Sequence, residues 1–388
     1  MNKQDYKEKP FEYLKRKNGD GFSTDIIKNW YIARAYVLDK LKDVTICQGS
    51  KEHLEVTIAG DSPLMLCVAR QVALSAHYAN FDETKPYRTV ITLVSKNAQI
   101  IEELQKEEYL FNLPMFCKLS VNGSAPKNAD SHVDIELRVV DHGQENSTDS
   151  AIVLSEDDVK AFLGTKNEEE IYCVDTRKAV FTDRMYSLGA WIDNLPAEDI
   201  HNAQRYAMAL NVFQHNLLRK PLTQLVDAKE WESNVLSVKK GLSNVFCADC
   251  FESRAKGVVR YAEANGMIEE EAWEECIQGL SKSEHARWVV EKLIMGFRPI
   301  TEHERMEAEC LFGAECRQFF RQLKNNPQDP AHIDLCSFAQ LRRINPYDMK
   351  YDSFLMLAIP GILQKLKISY CKRPRRIWHE RFIYPQAH

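Results

Sequence analysis

Between Ser283 and Pro299 the chain reads SEHARWVVEKLIMGFRP, placing an imidazole, an indole, an ammonium, two guanidinium groups and two carboxylates within a few helical turns. Side chains four apart meet on a helix, so Glu284, Trp288 and Lys292 share one face, and Arg287 faces Glu291. Ser281 with Glu284 three residues later predicts a helix start with a capping box, and Gly296 followed by Pro299 predicts its end. The plain reading of this helix is an amphipathic element. In it Ala286, Val289, Val290, Leu293 and Ile294 face a core, Arg287–Glu291 is a surface ion pair of little worth, and Trp288 covers the core with its N–H satisfied.

A second place for chemistry is the turn Gly60-Asp61-Ser62-Pro63, which follows the β-branched run LEVTIA and precedes an apolar helical stretch. A dinucleotide turn needs three glycines, and an acid at the end of the second strand to hold a ribose. Only Gly60 is present here, Asp61 brings negative charge to the phosphate position, and Ser95 stands where the ribose acid belongs. Gly60, Asp61 and Ser62 are thus the candidate cofactor-binding positions of a turn expected to hold no dinucleotide, and no cofactor is expected. The amides of the helix start leave room for a smaller anion.

Other chemistry is weakly signalled. Cys247 and Cys250 have the spacing of half a zinc site, but no second pair answers them, and they share an apolar stripe with Phe246, Phe251 and Ala255, so buried thiols are expected. Neither a G-x-S-x-G elbow, nor H-E-x-x-H, nor a phosphate loop occurs. Runs such as EEEAWEE at 269–275 fit solvated helix faces.

The elements that must hold these residues alternate. A helix is expected from Ser23 or Thr24 through IIKNWYIARAYVLDKL. After it come LEVTIAG, a helix over LMLCVARQVALSAHYA, the strand TVITLVS (89–95) and a helix over 97–108. Further strands are expected at 115–121, 132–140, 151–155 and 170–176, with HVDIELRVV alternating enough to suggest an edge. That order predicts a parallel sheet covered by helices. From Glu198 the chain reads helical, broken at Pro221, with further helices over 235–264 and 267–280.

The 388 residues give two or three packed units, and 44% apolar with 28% charged residues describe an ordinary globular composition. No window supplies the roughly 18 apolar residues of a membrane span and the start MNKQDYKEKP lacks an export signal, so a cytoplasmic protein with reduced thiols is expected. The formal charge of -5 is uneven: residues 281–388 are near +6 and the remainder near -11. The basic residues are interleaved with acids except in the tail containing Lys372, Arg373, Arg375, Arg376 and Arg381, which argues against nucleic acid as a partner.

Taken in order, His285, Trp288, Gly296-Phe297-Arg298, His332-Ile333-Asp334-Leu335 and Tyr351-Asp352 resemble the ryanodine-receptor repeat (RyR domain), over about 281–367. Phe297 replaces a frequent Trp and Ile333 a frequent Pro. With the sheet upstream, the chain is similar to bacterial proteins in which a TrkA-type (TrkA-N) Rossmann domain precedes such a repeat. The resemblance implies a non-enzymatic regulatory module that senses a nucleotide-like ligand or mediates protein contacts; a protein partner or a homo-oligomer is the expected assembly. The candidate ligand-binding residues are His285, Trp288, Arg298, Tyr347 and Asp348. Trp288 can stack on a base, Arg298 can take a phosphate with both arms, and Tyr347 and Asp348 can meet a ribose or amine.

The expected architecture is an α/β protein, a degenerate Rossmann-like parallel sheet domain plus a C-terminal all-α RyR-like domain. Its parts are an N-terminal helical cap (1–50), the sheet domain (51–197), a helical connector (198–280), the RyR-like domain (281–370) and a basic tail (371–388). The competing expectations are a nucleotide-processing enzyme built on the Gly60 turn and a pure protein-interaction module.

Overall fold

The computed structural model describes residues 24–85, 87–97, 116–122, 132–140, 152–166, 246–247, 249–326, 329–344, 352–353, 355–357 and 359–360. The expected helix over 97–108 and strand at 170–176 lie outside the described residues, apart from Asn97 itself, as do Tyr347, Asp348 and Tyr351. Helix α1 (Thr24–Leu41) leads to β1 (Glu55–Ala59), α2 (Pro63–Ser75) and β2 (Thr89–Val94). Then come β3 (Lys118–Val121), β4 (Ile135–Val140), β5 (Ile152–Ser155) and α3 (Glu156–Gly164). The C-terminal elements are α4 (Phe251–Asn265), α5 (Glu269–Ile294), β6 (Arg298–Pro299), α6 (Glu302–Glu309), α7 (Gly313–Asn325), β7 (Ala331–His332) and α8 (Phe338–Ile344).

Five strands form one parallel sheet in the order β3-β4-β2-β1-β5. The run TVITLV is buried at its first five positions, as a strand covered on both faces must be. Beside it α2 starts with Pro63, whose missing N–H costs nothing in a first turn, and buries Met65 to Ala69 and Gln71 to Ser75 against its neighbours. Helix α1 packs on α2 from one side and α5 from another, so α2 is enclosed by sheet and helices. No helix among the described residues is long and apolar enough to cross a membrane.

Strand β4 is not the expected edge: it lies between β3 and β2. Its alternation has a local cause, since Glu136 and Arg138 lie on one face and bond to each other at 3.0 Å, which satisfies two charges inside a sheet. The helix start expected at Ser281 is also displaced. Helix α5 runs without interruption from Glu269, and Ser281 lies inside it, its hydroxyl donating back to the Ile277 carbonyl at 2.6 Å. The helix end was legible. Gly296 takes φ 81°, its N–H donates to the Leu293 carbonyl and that of Phe297 to the Lys292 carbonyl, a Schellman closure.

Candidate functional site

Beta strand β1 is flanked by β2 on one side and β5 on the other, so the crevice at their carboxyl ends is where an open parallel sheet receives a ligand. The chain fills it itself. Ser62, at the N-cap of α2, makes no side-chain cap bond. Its N–H and that of Asp61 instead donate to Glu156 Oε1 at 2.9 and 3.2 Å. A carboxylate thus holds the spot where helix amides and the helix dipole favour an anion. Gly60 is required for this approach, because a Cβ there would come within 2.7 Å of Glu156 Cγ and 2.6 Å of Met65 Cγ.

Asp61 points away from that spot. Its carboxylate accepts from Ser95 Oγ at 2.8 Å and from the Lys96 N–H at 2.6 Å, and these bonds, with the Lys96 amide foremost, hold its carboxyl below the usual range. Ser95 therefore terminates β2 against the turn, in the place where a ribose-binding acid would stand. Glu156 went unnoticed in the sequence because nothing local marks it: it lies 94 positions from its partner Ser62.

The second locus is built on the last turns of α5, and its wet face is buried. Arg287 donates from Nε and Nη2 to both oxygens of Glu284 at 2.9 Å, and from Nη1 to Glu291 at 2.7 Å. The expectation of an exposed Arg287–Glu291 pair is thus overturned, for both side chains are within 1% of full burial. The reason is that α4 and α2 cover this face, and α4 brings Arg254, whose Nη1 lies 2.7 Å from Glu284. Burial by itself would raise the Glu284 carboxyl, but Arg287 and Arg254 pull it down to about 2.

Trp288 is half-buried against the core. The His285 ring stacks near it (6.2 Å, 19°), the His332 ring meets it edge-on (4.9 Å, 78°), and the Lys292 ammonium lies 5.6 Å from the indole and 5.8 Å from Phe297. The β6–β7 pairing, Pro299 opposite His332, brings this histidine beside the end of α5. Lys292 was legible as the residue one turn beyond Trp288. The contact of His332 with the indole, across 44 positions of chain, had no sign beyond its place in the resemblance.

His285 faces two acceptors. Its Nε2 lies 2.9 Å from the Cys336 carbonyl and its Nδ1 3.6 Å from Asp352. Burial works to lower its pKa, yet Asp352 and Cys336 raise it to about 10, so the ring is an imidazolium. Asp352 is pushed up to about 6 by its own burial, more than the imidazolium lowers it. His332 differs. Burial, with Lys324, Lys292 and His285 adding, drops it well below the ordinary value, leaving it neutral.

Arg298 does not extend a free fork. Its Nη1 and Nη2 donate to Glu304 at 2.7 Å each and its Nε to Asp329 at 2.8 Å, which raises its pKa and brings Glu304 down to about 2. Both arms that could take a phosphate are occupied by a carboxylate, and the cation beside the indole is Lys292 instead. Cys247 and Cys250 are fully enclosed, with burial pushing the Cys250 thiol up to about 12. Among the described residues no group of three or more His, Cys, Asp and Glu side chains could hold a metal ion.

Comparison with known proteins adds nothing to this geometry: no family model, no curated protein and no solved structure matches the chain.

Proposed function

We propose that this chain is a non-enzymatic regulatory protein in which a RyR-like helical module recognises a nucleotide-like small molecule at the Trp288 cluster, next to a degenerate Rossmann-like sheet. The observation that carries the reading is the half-buried indole bordered by the Lys292 ammonium and the His285 and His332 rings. An aromatic face with a cation and ring donors at its rim suits a flat, polar ligand. The charged groups that could run acid–base chemistry nearby are tied into mutual pairs, Glu284 with Arg287 and Arg254, and Glu304 with Arg298, which suits a rigid grip better than turnover. At the sheet, Glu156 already serves the amides a dinucleotide would use, which favours the helical module as the place of recognition.

A thermal-shift screen with NAD, ADP-ribose, ATP and cyclic nucleotides tests the proposal. A ligand at 100 times its Kd stabilises by about 2.7 kcal/mol, so at least one should raise the melting temperature by several degrees, and Trp288→Ala should cancel the rise. An unmoved melting temperature across the panel at millimolar concentration refutes it.

A further inference from the structure

The ion pairs of α5 form one chain, Arg254–Glu284–Arg287–Glu291–Lys292, in which three cations face two carboxylates. Any further partner of a carboxylate is a hydrogen-bond donor, neutral or cationic, so it cannot reduce that excess. The inner members are within 2% of full burial and the outer end, Lys292, is 8% exposed. Both ends of the chain are cations, and Lys292 is the end that lies beside a half-buried aromatic face. Inside a protein a surplus charge is costly unless an opposite charge reaches it.

A second group points to the same place. Asp334 donates its backbone N–H to His332 Nδ1 at 3.2 Å, so the proton of the neutral ring sits on Nε2. That Nε2 is buried with no hydrogen-bond partner, on a ring 8% exposed that meets the Trp288 indole at 4.9 Å. The indole face offers such an N–H only a weak contact, and the ring lacks the acceptor its proton calls for. The Asp334 carboxylate lies on the opposite nitrogen, 3.6 Å from Nδ1.

We infer that the Trp288 cluster takes a planar anion, whose phosphate or carboxylate is received by the Lys292 ammonium and the His332 Nε2–H while its flat part lies on the indole. This deepens the proposed function and rests on its siting at Trp288. It places the selective element in Lys292 and His332 and leaves Arg298 as a brace.

Calorimetric titration of the full chain with AMP, orotate and adenosine tests it, the first two separating phosphate from carboxylate anions. At least one anion should bind about tenfold or more tightly than neutral adenosine, since charge-assisted bonds are the strong ones. Lys292→Met should abolish that advantage and Lys292→Arg should restore it. If Lys292→Met does not fold, the wild-type chain still decides: the affinity of the anion should fall as sodium chloride rises, that of adenosine should not. Adenosine equalling both anions overturns the anion inference and leaves the aromatic site standing. No binding by any of the three at millimolar concentration overturns this inference together with the siting at Trp288.

Discussion

Arg287 sits at the centre of the ion pairs of α5, between Glu284 and Glu291. Its i, i+4 spacing to Glu291 is the same as in any solvated helix, and only the cover from α4 and α2 turns it into the centre of a buried network. Arg287→Met should leave two buried carboxylates facing each other and cost about 3–5 kcal/mol in urea unfolding, whereas Lys42→Ala, in an exposed pair with Asp39, should change stability by less than about 1 kcal/mol. The network also sets pH dependence. Glu284 titrates at about 2 when folded and near 4.5 when unfolded, so its contribution is intact above 4.5 and is lost as pH falls toward 2. His285 goes the other way: raised to about 10, it stabilises fully below its ordinary 6.5 and loses that contribution as pH rises toward 10. A decline in the urea midpoint between pH 7 and 9 should therefore flatten in His285→Gln. Glu156 makes a separate prediction. Glu156→Gln keeps an acceptor for the Asp61 and Ser62 amides, while Glu156→Ala hands the exposed Asp61 amide and the part-buried Ser62 amide to water, so the alanine variant should lose about 0.5–1.5 kcal/mol more in the same measurement.

At the scale of elements, strands β1 to β5 and α2 were legible because their apolar runs are local facts, whereas the two-residue strands β6 and β7 were not, and Gly296 was because a helix end needs a residue that tolerates positive φ. The false start at Ser281 arose because a capping-box spacing is satisfied by chance inside helices. The same S/T-x-x-E spacing at Thr301 and Glu304 does form the box, following the extended turn at Pro299 that the helix could not cross. What decides at Ser281 is the upstream run from Glu269, whose acids favour the positive end of the helix dipole. Close packing between elements leaves even less trace. Gly279 sits inside α5 where a Cβ would fall 2.3 Å from the Ala79 carbonyl oxygen, a backbone atom that cannot step aside. Gly279→Ala should therefore destabilise by about 1–3 kcal/mol or more, although alanine gains about 1 kcal/mol in helix propensity. Gly164, the last residue of α3, has nothing within 4 Å of its added Cβ, so Gly164→Ala should be neutral or stabilising by up to about 1 kcal/mol. Thermal melts of the two variants should move in opposite directions or, for Gly164→Ala, not at all.

For the molecule as a whole, composition and strand–helix alternation revealed a sheet part and a helical part but not how they share an interior. Ala286, Val289, Val290 and Leu293 of α5, with Phe297 and Leu335 beyond it, belong to the same core as Val56 and Ile58 of β1 and Ile91 and Leu93 of β2. The position expected to open the helical domain, residue 281, falls in mid-helix. Polar ties cross the same boundary: Arg34 of α1 grips Asp249 with two nitrogens, Lys282 reaches Asp82 at 3.1 Å, and the Phe338 N–H donates to Glu83 at 2.9 Å. Elements that share a buried core unfold together. Urea unfolding of the full chain should accordingly give one transition, with the fluorescence of Trp273 and Trp288 on α5 changing at the same midpoint as the far-ultraviolet signal of sheet and helices. Truncation after Gly266 should leave β1, β2 and α2 with an exposed apolar face and abolish cooperative unfolding. A truncated chain that melts sharply at the wild-type temperature would mean that α5 rests on an already complete sheet domain.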